Sequence, residues 1–416
     1  MLLTILNMSD IVTKYREITR QAQTDPEYRK NLDLEKYMTD CRIYAPLIPK
    51  SDSLKIAILG YGSDLVGKWD PFNTTTGLPG SEECAVYASQ ELANRGYSVT
   101  MYMDPPNDSI WKSPFSNPRC LSVDLWNVSE NTESYDLVLM WRRFDVETGR
   151  RRGKTVFFWP HDSPPDVPQG MKLPPFPKFD GVCILSEHHR LQFSSWPLFY
   201  QVPYIVCGNG IVPEQFSAPM SFTNPYSIGY FSNYSRGLII LMLIWPDIRK
   251  EFPEATLDIC YGRETWNTMP PEMLQFVINK IQEYKSMGVT EHGKIGHLEL
   301  AHVMQHTSVW SYPCIALGET FCITASKCQA AGCIPVTTRI AALNETVHKD
   351  APHLTLINGN QDIPKYKDVL LSTLRRIRDS NPDELVNERR KYIEFGRSFS
   401  WSACIDKWLQ LYHKVK

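Results

Sequence analysis

The chain reads as an α/β protein of two successive βαβ domains, and three observations predict it. Short apolar runs bounded by turn residues, the pattern of buried parallel strands, recur from Lys55 onward with helical segments between them. The alternation breaks between Glu214 and Tyr226, around Pro213, Pro219 and Pro225, and then restarts. In the second half, Glu319 stands just before a small-residue helix that Gly332 ends, and a short apolar strand follows through Val336. Two such domains imply two parallel sheets facing each other across a central cleft.

Residues 1–53 are polar and read as a helical extension. In the first domain, residues 54–213, strands are expected at Lys55–Leu59, Ser98–Met103, Asp136–Trp141, Lys154–Trp159, Gly181–Leu185 and Pro203–Cys207. The helix Ser81–Arg95 repeats Ala85, Ala88 and Leu92 at helical spacing, and Gly96 stops it. In the second domain, residues 226–382, the expected order is strand Ser227–Phe231, helix Gly237–Phe252, strand Thr256–Tyr261, helix Pro271–Met287 and a strand near Val289. Helix Leu298–His306, strand Ser308–Tyr312, helix Phe321–Ala331 and strands Ile334–Thr337 and His353–Ile357 complete it. The tail, residues 383–416, reads as one or two helices able to cross back to the first domain.

Composition excludes several classes. Apolar residues make up 43% and charged residues 22%, ordinary for a soluble globular protein. A net charge of −2 does not call for a nucleic-acid partner. The longest obvious apolar run, Leu238 to Trp245, is far short of a membrane span, and Met1 to Met8 lacks the basic flank of a signal peptide. Eleven scattered cysteines with no CxxC pair point to reduced thiols in the cytoplasm. The sequons Asn233-Tyr234-Ser235 and Asn73-Thr74-Thr75 both fall in segments assigned to the ligand cleft, where a glycan would block it.

The chemistry concentrates at helix starts. Free N–H groups and the helix dipole collect phosphate there. Arg236 stands at a strand-to-helix turn, and its guanidinium fork suits a diphosphate; the plain alternative is a solvated helix-start arginine. Glu319, beside another helix start, suits sugar hydroxyls, with Thr320, Phe321, Cys322 and Ile323 offering backbone contacts; the alternative is an ordinary N-terminal acid. Gly80, with Gly77 and Leu78, lets backbone approach a ligand closely. Glu82 and Glu83 read as dipole-favoured capping residues. His161-Asp162 follows a strand and so lies at the ligand-binding edge of the first sheet, unless it is a structural loop pair.

The order of these motifs resembles the GT-B glycosyltransferases, specifically the large retaining family 4 known from bacteria and large DNA viruses, over roughly residues 54–400. Gly77-Leu78-Pro79-Gly80-Ser81-Glu82-Glu83 is similar to the family's glycine-rich loop, and Trp141-Arg142-Arg143 and Pro160-His161-Asp162 to its acceptor-side and sugar-side loops. Asn209-Gly210-Ile211 with Phe216 is similar to the segment that leads into the second domain. Ser232-Asn233-Tyr234-Ser235-Arg236-Gly237-Leu238 resembles the phosphate turn. Gly262, the Gly293–Gly296 turn with Ile295, Tyr312-Pro313 and the Glu319 block complete the order.

The resemblance implies two Rossmann-like domains and transfer of a sugar from a GDP- or UDP-sugar to a glycan or glycoconjugate, with retained configuration. It implies no cofactor and no metal. His161, Arg236 and Glu319 would carry the catalysis. Gly80, Ser232, Arg236, Gly262, Ile295, Glu319, Phe321, Cys322, Ile323 and Lys327 would line the donor. The expected state is a monomer or weak dimer in the cytoplasm. Other users of the fold, epimerases and phosphorylases, and a non-catalytic nucleotide- or carbohydrate-binding subunit are the alternative readings.

Two departures stand out. The family's second glutamate, eight positions after the first, is Lys327 here; the arginine often found a few residues before the phosphate-turn lysine is replaced by Phe231 and Ser232, and Arg236 stands where that lysine is usual. His302 and His306 have a zinc-compatible i, i+4 spacing near His292 and His297, but there is no HExxH. Arg142, Arg143, Arg150, Arg151, Arg152 and Lys154 form a basic cluster of the kind that holds a phosphorylated acceptor or a membrane surface, and more often a solvated loop. Lysine only donates where glutamate would accept from two ribose hydroxyls. Lys327→Glu should therefore change nucleotide affinity in a titration, and an unchanged affinity would remove Lys327 from the pocket.

Overall fold

The computed structural model describes residues 49–50, 52–60, 69, 74, 76–103, 117–129, 131–164, 174–217, 224–263 and 269–416. The expected extension over residues 1–53 lies almost wholly outside them, as does Asn73. The chain forms two compact units. The first takes residues up to 74, 78–212 and 400–416, and the second takes 75–77 and 213–399.

The first unit runs β1 (Lys55–Leu59), α1 (Gly80–Asn94), β2 (Ser98–Met103), β3 (Arg119–Ser122), β4 (Tyr135–Trp141), α2 (Val146–Arg150), β5 (Gly153–Trp159), β6 (Gly181–Ile184), α3 (Glu187–Phe193) and β7 (Tyr204–Val206). The second runs β8 (Ser227–Tyr230), α4 (Leu238–Glu251), β9 (Thr256–Cys260), α5 (Pro271–Glu283), β10 (Val289–Gly293), α6 (His297–Gln305), β11 (Val309–Tyr312), α7 (Ile323–Ala330), β12 (Ile334–Thr338), α8 (Leu343–Thr346), β13 (His353–Leu354), α9 (Ile363–Asp379) and α10 (Pro382–Ser398). Helix α11 (Trp401–Val415) belongs to the first unit.

Both sheets are parallel. The first has the order β3-β2-β1-β4-β5-β6-β7 and the second β10-β9-β8-β11-β12-β13. Counted from its own first strand, each begins 3-2-1-4-5-6, the doubly wound order. Strand order therefore reverses between β1 and β4 and between β8 and β11. Ligands of such sheets bind beyond the carboxyl ends of the strands at that reversal.

The central strands are apolar because both faces are covered: Ile56–Leu59, Val138–Met140 and Phe157–Phe158 are all at most 1% exposed. Helix α11 closes the first unit. Trp408 meets Trp159 edge-on at 4.7 Å, Arg95 bonds Asp406 at 2.6 Å, and Ile211 bridges Ser400. Gly210 permits this approach, since a Cβ there would sit 2.3 Å from the Trp401 nitrogen.

Three sequence expectations differ from the structure. Strand β3 was not expected, being short and polar at the sheet edge. The last strand shrinks from His353–Ile357 to His353–Leu354. Helix α7 starts at Ile323 rather than Phe321, because Cys322 has a left-handed backbone (φ 65°) that cannot continue a right-handed turn.

In the second unit α10 lies directly on α7. A Cβ at position 396 would be 2.4 Å from the Ala330 nitrogen and 2.6 Å from the Ser326 carbonyl. One turn or two away, buried Arg389 donates to the carbonyls of Ser308 (2.9 Å) and Gly332 (2.7 Å) and to Ser308 Oγ (2.7 Å). Burial pulls its guanidinium down to about 10. Gly396→Ala should cost about 1–3 kcal/mol or more by overpacking against backbone, read as a lower urea midpoint; an unchanged midpoint would mean that the helices part freely.

Candidate active site

Two charged residues of the second unit, one after β8 and one after β11, meet where its strand order reverses. After β8, Tyr230 Oη donates to the Asn233 carbonyl at 2.7 Å, and Asn233 Oδ1 accepts from the nitrogen and hydroxyl of Ser235 at 2.9 and 2.8 Å. This locks the turn that presents Arg236. Gly237 follows at φ 127°, and a Cβ on it would sit 2.1 Å from the Pro313 carbonyl. Only glycine lets the turn press against the loop after β11.

That loop carries Glu319. Arg236 Nη1 donates to Glu319 Oε2 at 2.7 Å, and Tyr312 Oη donates to the same oxygen at 3.1 Å. Ser232 Oγ in turn donates to Tyr312 Oη at 3.2 Å. The Arg236 side chain keeps 32% of its exposure and Glu319 keeps 12%, so the pair is accessible from one side. The Glu319 charge raises the Arg236 pKa further, and the guanidinium stays charged throughout the ordinary range. The arrangement offers a cation beside an acid: a place for an anion carrying a hydroxylated group next to it.

The other expected donor residues of this unit lie on the loops after β9, β10 and β11 and on α7. Thr320, Phe321 and Cys322 are buried between Glu319 and α7, and Thr324 Oγ1 donates to the Phe231 carbonyl at 3.3 Å. The left-handed Cys322 is strained, at a cost of about 1–3 kcal/mol, and strain of this kind gathers at functional sites. Ile323 opens α7 and is half-buried, while Lys327, one turn on, is 5% exposed and does not swing into solvent. Gly262 (φ 90°) follows β9, and next to it Arg263 pairs with Glu291, which also accepts from Tyr234 Oη at 2.6 Å. Ile295 lies in the turn after β10; a Cβ at Gly77 would be 2.6 Å from its carbonyl.

The first unit has its own charged cluster at its strand reversal. Arg142 follows β4 with a left-handed backbone (φ 63°). Its fork grips Asp162 (Nε–Oδ2 2.6 Å, Nη2–Oδ1 3.0 Å), and Nη1 reaches Glu82 Oε1 at 3.1 Å. Glu82 lies in the first turn of α1, as a dipole-favoured acid should, and it is also 2% exposed, where burial raises its pKa against the pull of Arg142. Gly80 is the first residue of that helix.

His161 is buried beside Trp159 (4.6 Å) and Trp141 (6.1 Å). Burial, and then the Arg142 charge, hold its imidazole well below the usual range. His189, which the sequence did not single out, shares a 3.0 Å hydrogen bond with the Asp162 carbonyl, and burial brings it down to about 4.

The basic cluster of the sequence does not form one surface. Arg143 pairs with Asp145, Arg150 with Asp180 and Lys154 with Asp136. Arg151 bonds Asn127, and Arg152 bonds the carbonyls of Trp126, Asn131 and Val128. His302 and His306 keep together, with ring centroids 4.3 Å apart and His306 Nδ1 on the His302 carbonyl, while His292 Nε2 is 2.7 Å from Asp258. The ten cysteines among the described residues are all buried. No described helix is long and apolar enough to cross a membrane.

Solved structures share this architecture. Sucrose-phosphate synthase from Thermosynechococcus elongatus superposes with a TM-score of 0.64 at 16% identity, covering 87% of this chain and 99% of that one. HepE from Anabaena, solved with UDP and glucose, gives 0.59 at 12% identity, covering 87% and 100%. The fold is GT-B. The pneumococcal O-GlcNAc transferase GtfA, solved with UDP and GlcNAc, gives 0.50 at 14% identity over 69% of this chain, which spans 58% of its length. No family model matches the chain, and no curated protein matches it in sequence.

The lowered histidines set a pH response. Between about 4 and the unfolded value of about 6.5, the unfolded chain binds a proton at His189 that the folded chain does not, so stability falls as pH falls through that window. His161 acts with the same sign. The slope should reach about 1.4 kcal/mol per pH unit for each histidine. Urea midpoints at pH 7 and pH 5 should show the loss, and His189→Asn should reduce it by its own share while that of His161 stays; an unaltered slope would mean that His189 is not a contributing group.

Proposed function

We propose that this chain is a retaining glycosyltransferase that moves a sugar from a GDP- or UDP-sugar to a glycan or glycoconjugate. The observation that carries the reading is the Arg236–Glu319 pair at the strand reversal of the second sheet. Breaking the glycosidic bond to a diphosphate leaves negative charge on the leaving group, and a preorganised cation and helix-start N–H groups stabilise it. Arg236 and the start of α7 are assigned that charge, without a metal. Glu319 is assigned the sugar hydroxyls.

The division of labour follows from the two clusters. The second unit takes the donor. The first takes the acceptor, with His161 on the transferring sugar as the family 4 resemblance implies. Its acidic surroundings, two carboxylates on one guanidinium, suit hydroxyl groups better than phosphate. The GT-B likeness supports the reading, since HepE and GtfA were each solved in complex with UDP and a sugar. The cytoplasm is the proposed compartment. Lys327, in place of an acceptor for ribose, favours a second reading, a subunit that binds nucleotide without turnover.

A thermal-shift panel of GDP, UDP and their sugars tests the proposal. A bound ligand at a hundred times its Kd adds about 2.7 kcal/mol to stability. Arg236→Ala should weaken the responding nucleotide about tenfold to a hundredfold, the worth of a hydrogen bond to a charged group. Incubation with donor and glycan acceptors should form a glycoside of unchanged anomeric configuration. Binding without any product or donor hydrolysis would favour the non-catalytic reading, and no response to any nucleotide would overturn both.

A further inference from the structure

We propose that Tyr312 is a positioning residue for Glu319, fixing which carboxylate oxygen is left for a ligand hydroxyl. The inference rests on the glycosyl-transfer reading above and deepens it at the same site. Tyr312 ends β11 with its side chain fully buried. Its ring stacks on Trp310 at 5.3 Å and lies 5.9 Å from Tyr230. A phenol so enclosed has little freedom to move its oxygen.

The direction of each bond around that oxygen is forced. An ionised carboxylate only accepts, so Tyr312 Oη donates to Glu319 Oε2. The phenol's lone pair is then what receives the Ser232 hydroxyl proton. Such a chain polarises itself and strengthens each link. It also redefines Ser232, whose hydroxyl proton is directed at Tyr312 and not at a phosphate.

Arg236 donates to the same Oε2. Both donors therefore fall on one oxygen, and no described residue bonds Oε1. The two donors differ in permanence. Arg236 is a third exposed and has to turn to a diphosphate when one arrives. Tyr312 is buried and stays. A carboxylate torsion is broad and nearly two-fold, so without the phenol the two oxygens would exchange once Arg236 lets go. Tyr312 is thus the contact that keeps Oε1 aimed for a sugar hydroxyl during the exchange.

Calorimetric titration of the full chain with UDP, UDP-glucose, UDP-GlcNAc, GDP and GDP-mannose tests this in wild type, Tyr312→Phe, Glu319→Gln and the double variant. The extra affinity that the sugar adds to its nucleotide should fall about tenfold in Tyr312→Phe, about 1.4 kcal/mol. Affinity for the bare nucleotide should stay within about threefold. In the Glu319→Gln background Tyr312→Phe should add nothing, because it acts through that carboxylate. An unchanged sugar increment, or an equal loss in both backgrounds, overturns the inference and leaves the glycosyl-transfer reading standing. If circular dichroism shows that Tyr312→Phe does not fold, Ser232→Ala takes its place, with an expected loss of about threefold in the sugar increment and no loss as the overturning result. Wild-type protein that binds none of the five ligands overturns the reading and the inference together.

Discussion

Helix α7 touches α10 backbone to backbone at Gly396, and the charged site of the second unit hangs from that contact. With no Cβ in the way, α7 is pinned along its last turns against a second helix. Arg389 then ties the carbonyls at its far end, Gly332, and at the root of β11, Ser308, to the same helix. The start of α7 and the end of β11 are thereby set in one frame. Glu319 leaves from one and Tyr312 from the other, so their 3.1 Å bond is a product of helix packing. Burying a guanidinium is costly, and here three oxygens around Arg389 offset the cost.

The two charged clusters solve opposite problems with the same residue types. In the first unit one arginine faces two carboxylates, Glu82 and Asp162, which leaves a net acidic cluster. In the second, one arginine faces one carboxylate, so the charges balance. The backbone around each is strained at a residue that is not glycine, Arg142 in one and Cys322 in the other. Both lie just beyond the carboxyl end of a strand or just before a helix, where a parallel sheet directs its ligands.

What the sequence made legible was local. The apolar runs that became β1, β2, β4 and β5 were visible because both faces of a central strand are covered. Arg236 and Glu319 were each visible from the chemistry of a helix start. Their pairing was not, because 83 residues separate them and only the sheet order brings them together. Glu82 was legible as a first-turn acid, but its burial and its pairing with Arg142 were not, because Arg142 follows β4, 60 residues on. The left-handed turn at Cys322 had no signal at all, since cysteine carries no preference for positive φ. Edge strand β3 was hidden by its brevity and polar side chains.

The return of α11 to the first unit bears on how the chain is made. Residues 213–399 form the second unit without interruption apart from a three-residue piece, whereas the first unit lacks α11 until residues 401–415 have been added. Until then, the face of Trp159 that Trp408 covers has no lid from α11, and Asp406 is not there for Arg95. Domains generally complete their folding in the order of synthesis. Here synthesis delivers residues 213–399 as a body before α11, so the unit that began to emerge first keeps an apolar edge open until that helix follows.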